Sequence, residues 1–158
     1  MKKLVGALVF VLSASTSFAQ QLPNPYGLSV TLEAAKKIAL PALAEARKNS
    51  WTMAVAIVDA SGDLVYFERM DSTQLGSVDI AIAKARSAAR FKRPTKFFQD
   101  QLAAGGDGLR TLGLIGAVPV EGGFPLLMDG KIVGAIGVSG GTSAQDAQCA
   151  KAAADQVK

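Results

Sequence analysis

The chain has 158 residues, 49% of them hydrophobic, with a formal net charge of +4, one cysteine and no histidine. The missing histidine excludes Ser-His-Asp and Cys-His catalysis and any imidazole ligand for zinc or iron. The lone Cys149 excludes an intramolecular disulfide, so chemistry falls to carboxylates, Lys/Arg, Tyr, hydroxyls, the thiol or backbone amides.

Residues 1–19 read as an export signal. Lys2 and Lys3 precede the apolar run Leu4 to Leu12, and Ser17-Phe18-Ala19 puts small residues at −3 and −1, predicting cleavage after Ala19. The run is too short for a bilayer span, which needs about 20 apolar residues. Removing 19 of 158 residues leaves 139, a size that buries a core as one domain. It also removes two lysines and no acid, leaving 15 basic against 13 acidic side chains, a net of +2. Nothing global calls for nucleic acid, and the expected location is periplasmic or secreted.

Residues 20–28 carry two prolines and a glycine and read as a mobile N-terminus ahead of a single domain over 29–158. Thr31 is an N-cap for a helix over Leu32 to Lys48, with Pro41 expected to kink it. Met53 to Asp59 is an almost unbroken apolar run, suited to a central strand. Asp59-Ala-Ser-Gly-Asp63 supplies the turn and Leu64 to Arg69 the returning strand. Ser77 is the expected cap of a second helix reaching about Arg90, and Thr95, after Pro94, that of a third through Leu102. Three short strands follow, near Gly113 to Val118, Phe124 to Met128 and Ile132 to Ser139, the last two joined by Asp129-Gly130. Thr142 and Gln145 form a capping box for a terminal helix to Lys158. The expectation is an α+β domain of order α-β-β-α-α-β-β-β-α, with a five-stranded, mostly antiparallel sheet flanked by helices.

Gly137-Val-Ser139-Gly-Gly141 matches the nucleophile elbow of esterases, yet no histidine exists to serve the serine, so a glycine-rich turn needing positive φ is the better reading. Asp59 to Asp63 is too short for a calcium loop and is explained as a turn. Lys84, Arg86, Arg90, Lys92, Arg93 and Lys96 put six positive charges in thirteen residues, interleaved with Phe91, Phe97 and Phe98. If the helix persists to Arg93, then Arg86, Arg90 and Arg93 share one face. The mixture suits a flat apolar ligand bearing carboxylates, and equally a solvated helix face above core phenylalanines. Met70, Tyr26 and Tyr66 belong to residue types that can ligate an iron, although such residues are ordinary in cores and rims. Cys149 reads as a buried small residue.

The runs AVAIVDASGDLVYFERMD, GSVDIAIAKARSAARFKRPT and GGFPLLMDGKIVGAIGVSGG, in that order, resemble the GlcG/HbpS-like family of haem-binding and haem-degrading domains. The resemblance covers about Leu28 to Lys158. It implies a five-stranded antiparallel sheet, symmetric homo-oligomers (octamers among them) and haem as the ligand. Arg93-Pro94-Thr95 matches a family segment, placing Thr95 beside the iron. On that resemblance Arg90, Lys92 and Arg93 pair with propionates, Phe91, Phe98 and Met70 form pocket walls, and ligation is labile and histidine-free. Ligand exchange is then expected rather than turnover, with weak haem degradation as an accompanying activity. Two alternatives stand beside it. One is an enzyme acting on a small carboxylate, with Arg90 or Arg93 as clamp and Asp71, Glu121 or Lys84 as acid or base. The other is a non-catalytic partner of an envelope sensor.

Overall fold

The computed structural model describes residues 23–157; the export signal expected over residues 1–19 lies outside them. Thr31 caps α1 (Leu32–Lys48), its side chain accepting from the Ala34 amide at 3.3 Å, and the helix runs through Pro41. Strands β1 (Ala54–Asp59) and β2 (Leu64–Arg69) form the hairpin. Helices α2 (Ser77–Phe91) and α3 (Lys96–Ala104) follow, then a 3₁₀ segment (Gly106–Gly113), β3 (Gly123–Met128), β4 (Lys131–Ser139) and α4 (Ser143–Ala154).

The sheet is antiparallel, with order β2-β1-β4-β3. It therefore has four strands where the sequence suggested five. The stretch expected as a strand near Gly113 to Val118 is instead the end of the 3₁₀ segment and a turn with Gly116 at φ +86°. Leu114 and Ile115 are exposed at 45% and 99%, so an apolar run bounded by glycines found no strand to pair with.

Alternation along β1 divides the core. Val55 and Ile57 join the cluster under α1 and α4, whereas Ala54, Ala56 and Val58 face α2. The α2 side is built from small residues: Ala81, Ala85, Ala88 and Ala89 lie on Ala54, Ala56 and Ala135. A side chain at Gly137 would run into the Ala81 carbonyl and the Ala85 amide. The alanine-rich sequence of α2 thus serves close approach of helix to sheet as well as helix propensity.

One ionic contact ties the layers. Lys84 Nζ, on α2, lies 2.7 Å from Asp146 Oδ2, on α4, and donates to the Val138 carbonyl at 3.1 Å. Both side chains are almost wholly buried, at 1% and 4% exposure. Burial pushes the Lys84 ammonium below its ordinary value, and the Asp146 carboxylate opposes that push.

The turns obey local rules. Asp59 Oδ1 accepts from the amides of Ser61 and Asp63, both at 2.9 Å, which is a structural use of the carboxylate. Asp129 and Gly130 take φ of +49° and +71°, as a tight hairpin requires. The Thr142/Gln145 capping box forms, although α4 ends at Ala154. Two expected caps do not form: α2 starts after Gly76 with no side-chain cap, and Thr95 precedes α3 without capping it. The N-terminal stretch expected to be mobile is tied to β4 from Pro25 onward. The Pro25 carbonyl accepts from the Ile132 amide at 2.8 Å, and the Gly27 amide donates to the Ile132 carbonyl at 2.9 Å. No helix among the described residues is long and apolar enough to cross a membrane.

Candidate functional site

The exposed side of α2 carries Asp79, Ala83, Arg86 and Arg90 at i, i+4, i+7 and i+11, one helical face. Together with Ile82 and Phe91 this face forms one wall of a cleft of about 520 Å³. Ile115, Gly116 and Val118, from the turn after the 3₁₀ segment, form the other. The Val118 amide donates to Ser87 Oγ at 3.1 Å, which holds that wall against α2. The volume lies within the range of small-molecule sites, about 300–1,000 Å³.

Both arginines of the cleft are anchored at the far end. Arg86 Nε donates to the Gly62 carbonyl at 3.1 Å and Arg90 Nε to the Ser61 carbonyl at 2.9 Å. The β1–β2 turn therefore orients two guanidiniums. A guanidinium held through Nε keeps its two terminal nitrogens, the pair that grips a carboxylate in the bidentate mode. The arrangement is an apolar cleft with two anion-seeking groups at its border.

The basic segment is divided among several places. Arg90 and Phe91 line the cleft; Arg86, counted in the sequence only as part of a charged face, lines it too. Arg93 does not share their face, because α2 ends at Phe91 and Lys92 turns left-handed at φ +56°. The Arg93 guanidinium stacks 4.5 Å above Phe97, and its Nε donates to the Phe91 carbonyl at 3.0 Å. Lys92 lies 4.2 Å above the Tyr26 ring and borders a separate cavity of about 350 Å³ with Phe124, Pro125 and Leu127. Phe98 is 1% exposed and meets Phe91 edge-on at 5.1 Å, so it supports a cleft residue from within the core. Asp79, Ile82, Ile115 and Val118 were missed; extending the helical periodicity of the arginines back by two turns finds the first two.

The residues named as possible iron ligands lie elsewhere. Thr95 is fully buried, and its Oγ1 accepts from the Gly123 amide at 2.9 Å. Met70 packs against the α1/α4 cluster on the opposite side of the sheet and lines another pocket with Arg47, Glu68 and Asp71. Tyr66 donates to Glu68 Oε2 at 2.6 Å, and that bond raises its phenol above the ordinary value, against a phenolate. Tyr26 donates to the Ala89 carbonyl at 3.0 Å. Among the described residues no group of three or more acidic or cysteine side chains gathers as a metal site.

Ser139 is 5% exposed and donates to Ser77 Oγ at 3.2 Å, with no base beside it. The glycines flanking it do not take positive φ, contrary to expectation; they are small because neighbouring backbone and side chains leave no room for a Cβ. Burial pushes the Cys149 thiol up to about 12, which makes it inert.

Comparison with known proteins agrees with the fold. The chain is 41% identical to the GlcG protein of Escherichia coli K12 over 95 residues, 60% of this chain and 69% of that one. A crystal structure of a double mutant of Streptomyces reticuli HbpS superposes with TM-score 0.75 at 29% identity, covering 97% of this chain and 99% of that chain. The crystal structure of a PduOC–haem complex superposes with TM-score 0.72 at 28% identity, over 81% of this chain and 94% of that chain. The family model for the haem-degrading protein HbpS-like matches residues 30–155. The chain belongs to the HbpS-like family.

Proposed function

We propose that this protein binds haem, in the cleft between α2 and the 114–118 turn, with the propionates held by Arg86 and Arg90. The observation that carries the reading is the pair of guanidiniums anchored through Nε on the β1–β2 turn beside an apolar cleft of about 520 Å³. Ile82, Phe91, Ile115 and Val118 would meet the macrocycle. Family membership and the haem held by the related PduOC support the choice of ligand.

With no histidine in the chain, ligation at the iron falls to an oxygen or sulfur donor. Thr95, the donor named from the resemblance, is fully buried with its Oγ1 on the Gly123 amide, so an iron reaches it only if the packing around it opens. Retention therefore rests on the carboxylates and the apolar walls, and binding at the metal is weak and labile. Export through the 1–19 signal places this exchange outside the cytoplasm. Assembly into a homo-oligomer is supported by Leu109 and Leu112, exposed at 54% and 69% on the segment beside the cleft. An envelope sensor would be a partner for the same exposed segment.

The enzyme alternative needs an acid or base near the arginines. Lys84 is sealed in its ion pair, Asp71 lies in the pocket with Met70, and Glu121 is outside the cleft lining. None of the three serves it; among the described residues, the one carboxylate lining the cleft is Asp79.

The test is titration of the mature chain with haemin, followed by the Soret band. A saturable shift is expected, weakened by about tenfold or more in Arg86→Gln/Arg90→Gln, since charge-assisted hydrogen bonds are lost. Absence of a saturable shift, or one unchanged in that variant, overturns the reading.

A further inference from the structure

The sequence marks Asp59 to Asp63 only as a hairpin turn. The structure gives it a second task, because two successive carbonyls of the turn, Ser61 and Gly62, receive the Nε of two successive cleft-facing arginines of α2. The turn itself is braced by Asp59, whose carboxylate takes the Ser61 and Asp63 amides. Arg90 Nη2 lies 3.9 Å from Asp63 Oδ1, at the limit of an ion pair and exposed to water, so the backbone carbonyl does most of the holding. The guanidinium positions are then set by backbone rather than by long flexible side chains, which lowers the ordering cost of binding a carboxylate.

Gly62 sits at the contact. It has φ +91°, and a Cβ added there would lie 2.7 Å from Arg90 Nε, 3.3 Å from its Cγ and 3.4 Å from its Cδ. A side chain at position 62 therefore meets Arg90 at the very nitrogen that bonds the Ser61 carbonyl, and one of the two must shift. Arg86 bonds to the Gly62 carbonyl and is spared that collision.

We propose that Gly62 is a positioning residue of the ligand cleft: it lets the β1–β2 turn fix Arg90, and through Arg90 it makes the cleft select ligands that carry a free carboxylate. This rests on the reading of the cleft as the haem site. It adds a residue that contacts no ligand, and a specificity that can be measured apart from affinity.

The experiment compares haemin with its dimethyl ester, which keeps the macrocycle and iron and removes both negative charges. The wild-type mature chain is expected to prefer haemin by about tenfold, as lost charge-assisted hydrogen bonds imply. In Gly62→Ala the preference is expected to fall to about twofold while ester affinity changes far less, because the clash and the positive-φ strain both fall on the turn that holds the guanidiniums. Arg90→Ala should show the same fall, and Gly62→Ala/Arg90→Ala no further one, since the colliding side chain is gone. This cycle separates positioning from general damage, and far-UV circular dichroism of each variant establishes that it is folded. A wild-type preference retained in Gly62→Ala overturns the role of Gly62 while leaving haem binding intact. Equal loss of affinity for haemin and ester overturns it too, as the sign of a merely structural effect. Failure of the wild type to bind either compound overturns the reading of the cleft and this inference together.

Discussion

Lys84→Met leaves the Asp146 carboxylate buried at 4% exposure with one remaining partner, the Gly141 amide at 3.0 Å from Oδ1. It also takes the 3.1 Å donor from the Val138 carbonyl. Removing one member of a buried pair costs about 3–5 kcal/mol, because the other charge stays without compensation. Asp146→Asn is milder in shape and keeps an acceptor for Gly141, yet strands the ammonium at 1% exposure, so a similar cost is expected. The double variant Lys84→Met/Asp146→Asn removes both charges and keeps the Gly141 acceptor. It should lie within about 1–2 kcal/mol of wild type, a coupling of several kcal/mol. For a domain whose total stability is about 5–15 kcal/mol, either single change is severe. At roughly 3–5 °C per kcal/mol for this size, Tm should fall by roughly 10–20 °C in the single variants. Urea unfolding followed by the fluorescence of Trp51, the only tryptophan, gives the values. Additive effects of the two single changes, or a cost below about 1 kcal/mol for Lys84→Met, would refute the assignment of the pair as a coupled tie between α2 and α4.

Three more outcomes follow from the buried side of the molecule. Cys149, held near 12 against an ordinary 9.0 by burial first and by Glu45 and Asp146 after it, should alkylate with iodoacetamide at pH 8 only through unfolding. Its rate should rise in Lys84→Met in proportion to the unfolded population; reaction at the rate of a free thiol in the native protein contradicts this. Because the folded thiol holds its proton longer than the unfolded one, stability should decline as pH rises from about 9 toward about 12, and Cys149→Ala should flatten that decline. Gly123→Ala should cost about 3 kcal/mol or more, since the new Cβ meets the Lys84 carbonyl at 2.5 Å and Thr95 Cγ2 at 2.6 Å. Adding Thr95→Ser removes the second clash only, so partial recovery of the urea midpoint is expected, and full recovery would show that the backbone contact yields.

Some elements were legible because their causes are short-ranged. The apolar run 53–59 became β1, Asp129-Gly130 became the β3–β4 turn, and Thr142 with Gln145 became the capping box. Each depends on residues within a few positions of one another. The stretch near Gly113 to Val118 failed that reading, because an apolar run becomes a strand only if an edge stands ready to receive it. Of the seven proposed site residues, Arg90 and Phe91 line one cleft, and the rest are dispersed for a related reason. One left-handed residue, Lys92, turned Arg93 away from Arg90, while the alternation of the sheet put Met70 in the other layer.

The absence of histidine, the single cysteine, the family motifs and most element boundaries are properties of the chain as written. They determined what kind of domain forms and which chemistry it lacks. Which arginines act together was decided only in three dimensions. Gly62 meets Arg86 across 24 positions, and Ser61 meets Arg90 across 29. Those contacts exist because small side chains on β1, β4 and α2 let the helix settle closely on the sheet, bringing its charged outer face alongside the β1–β2 turn.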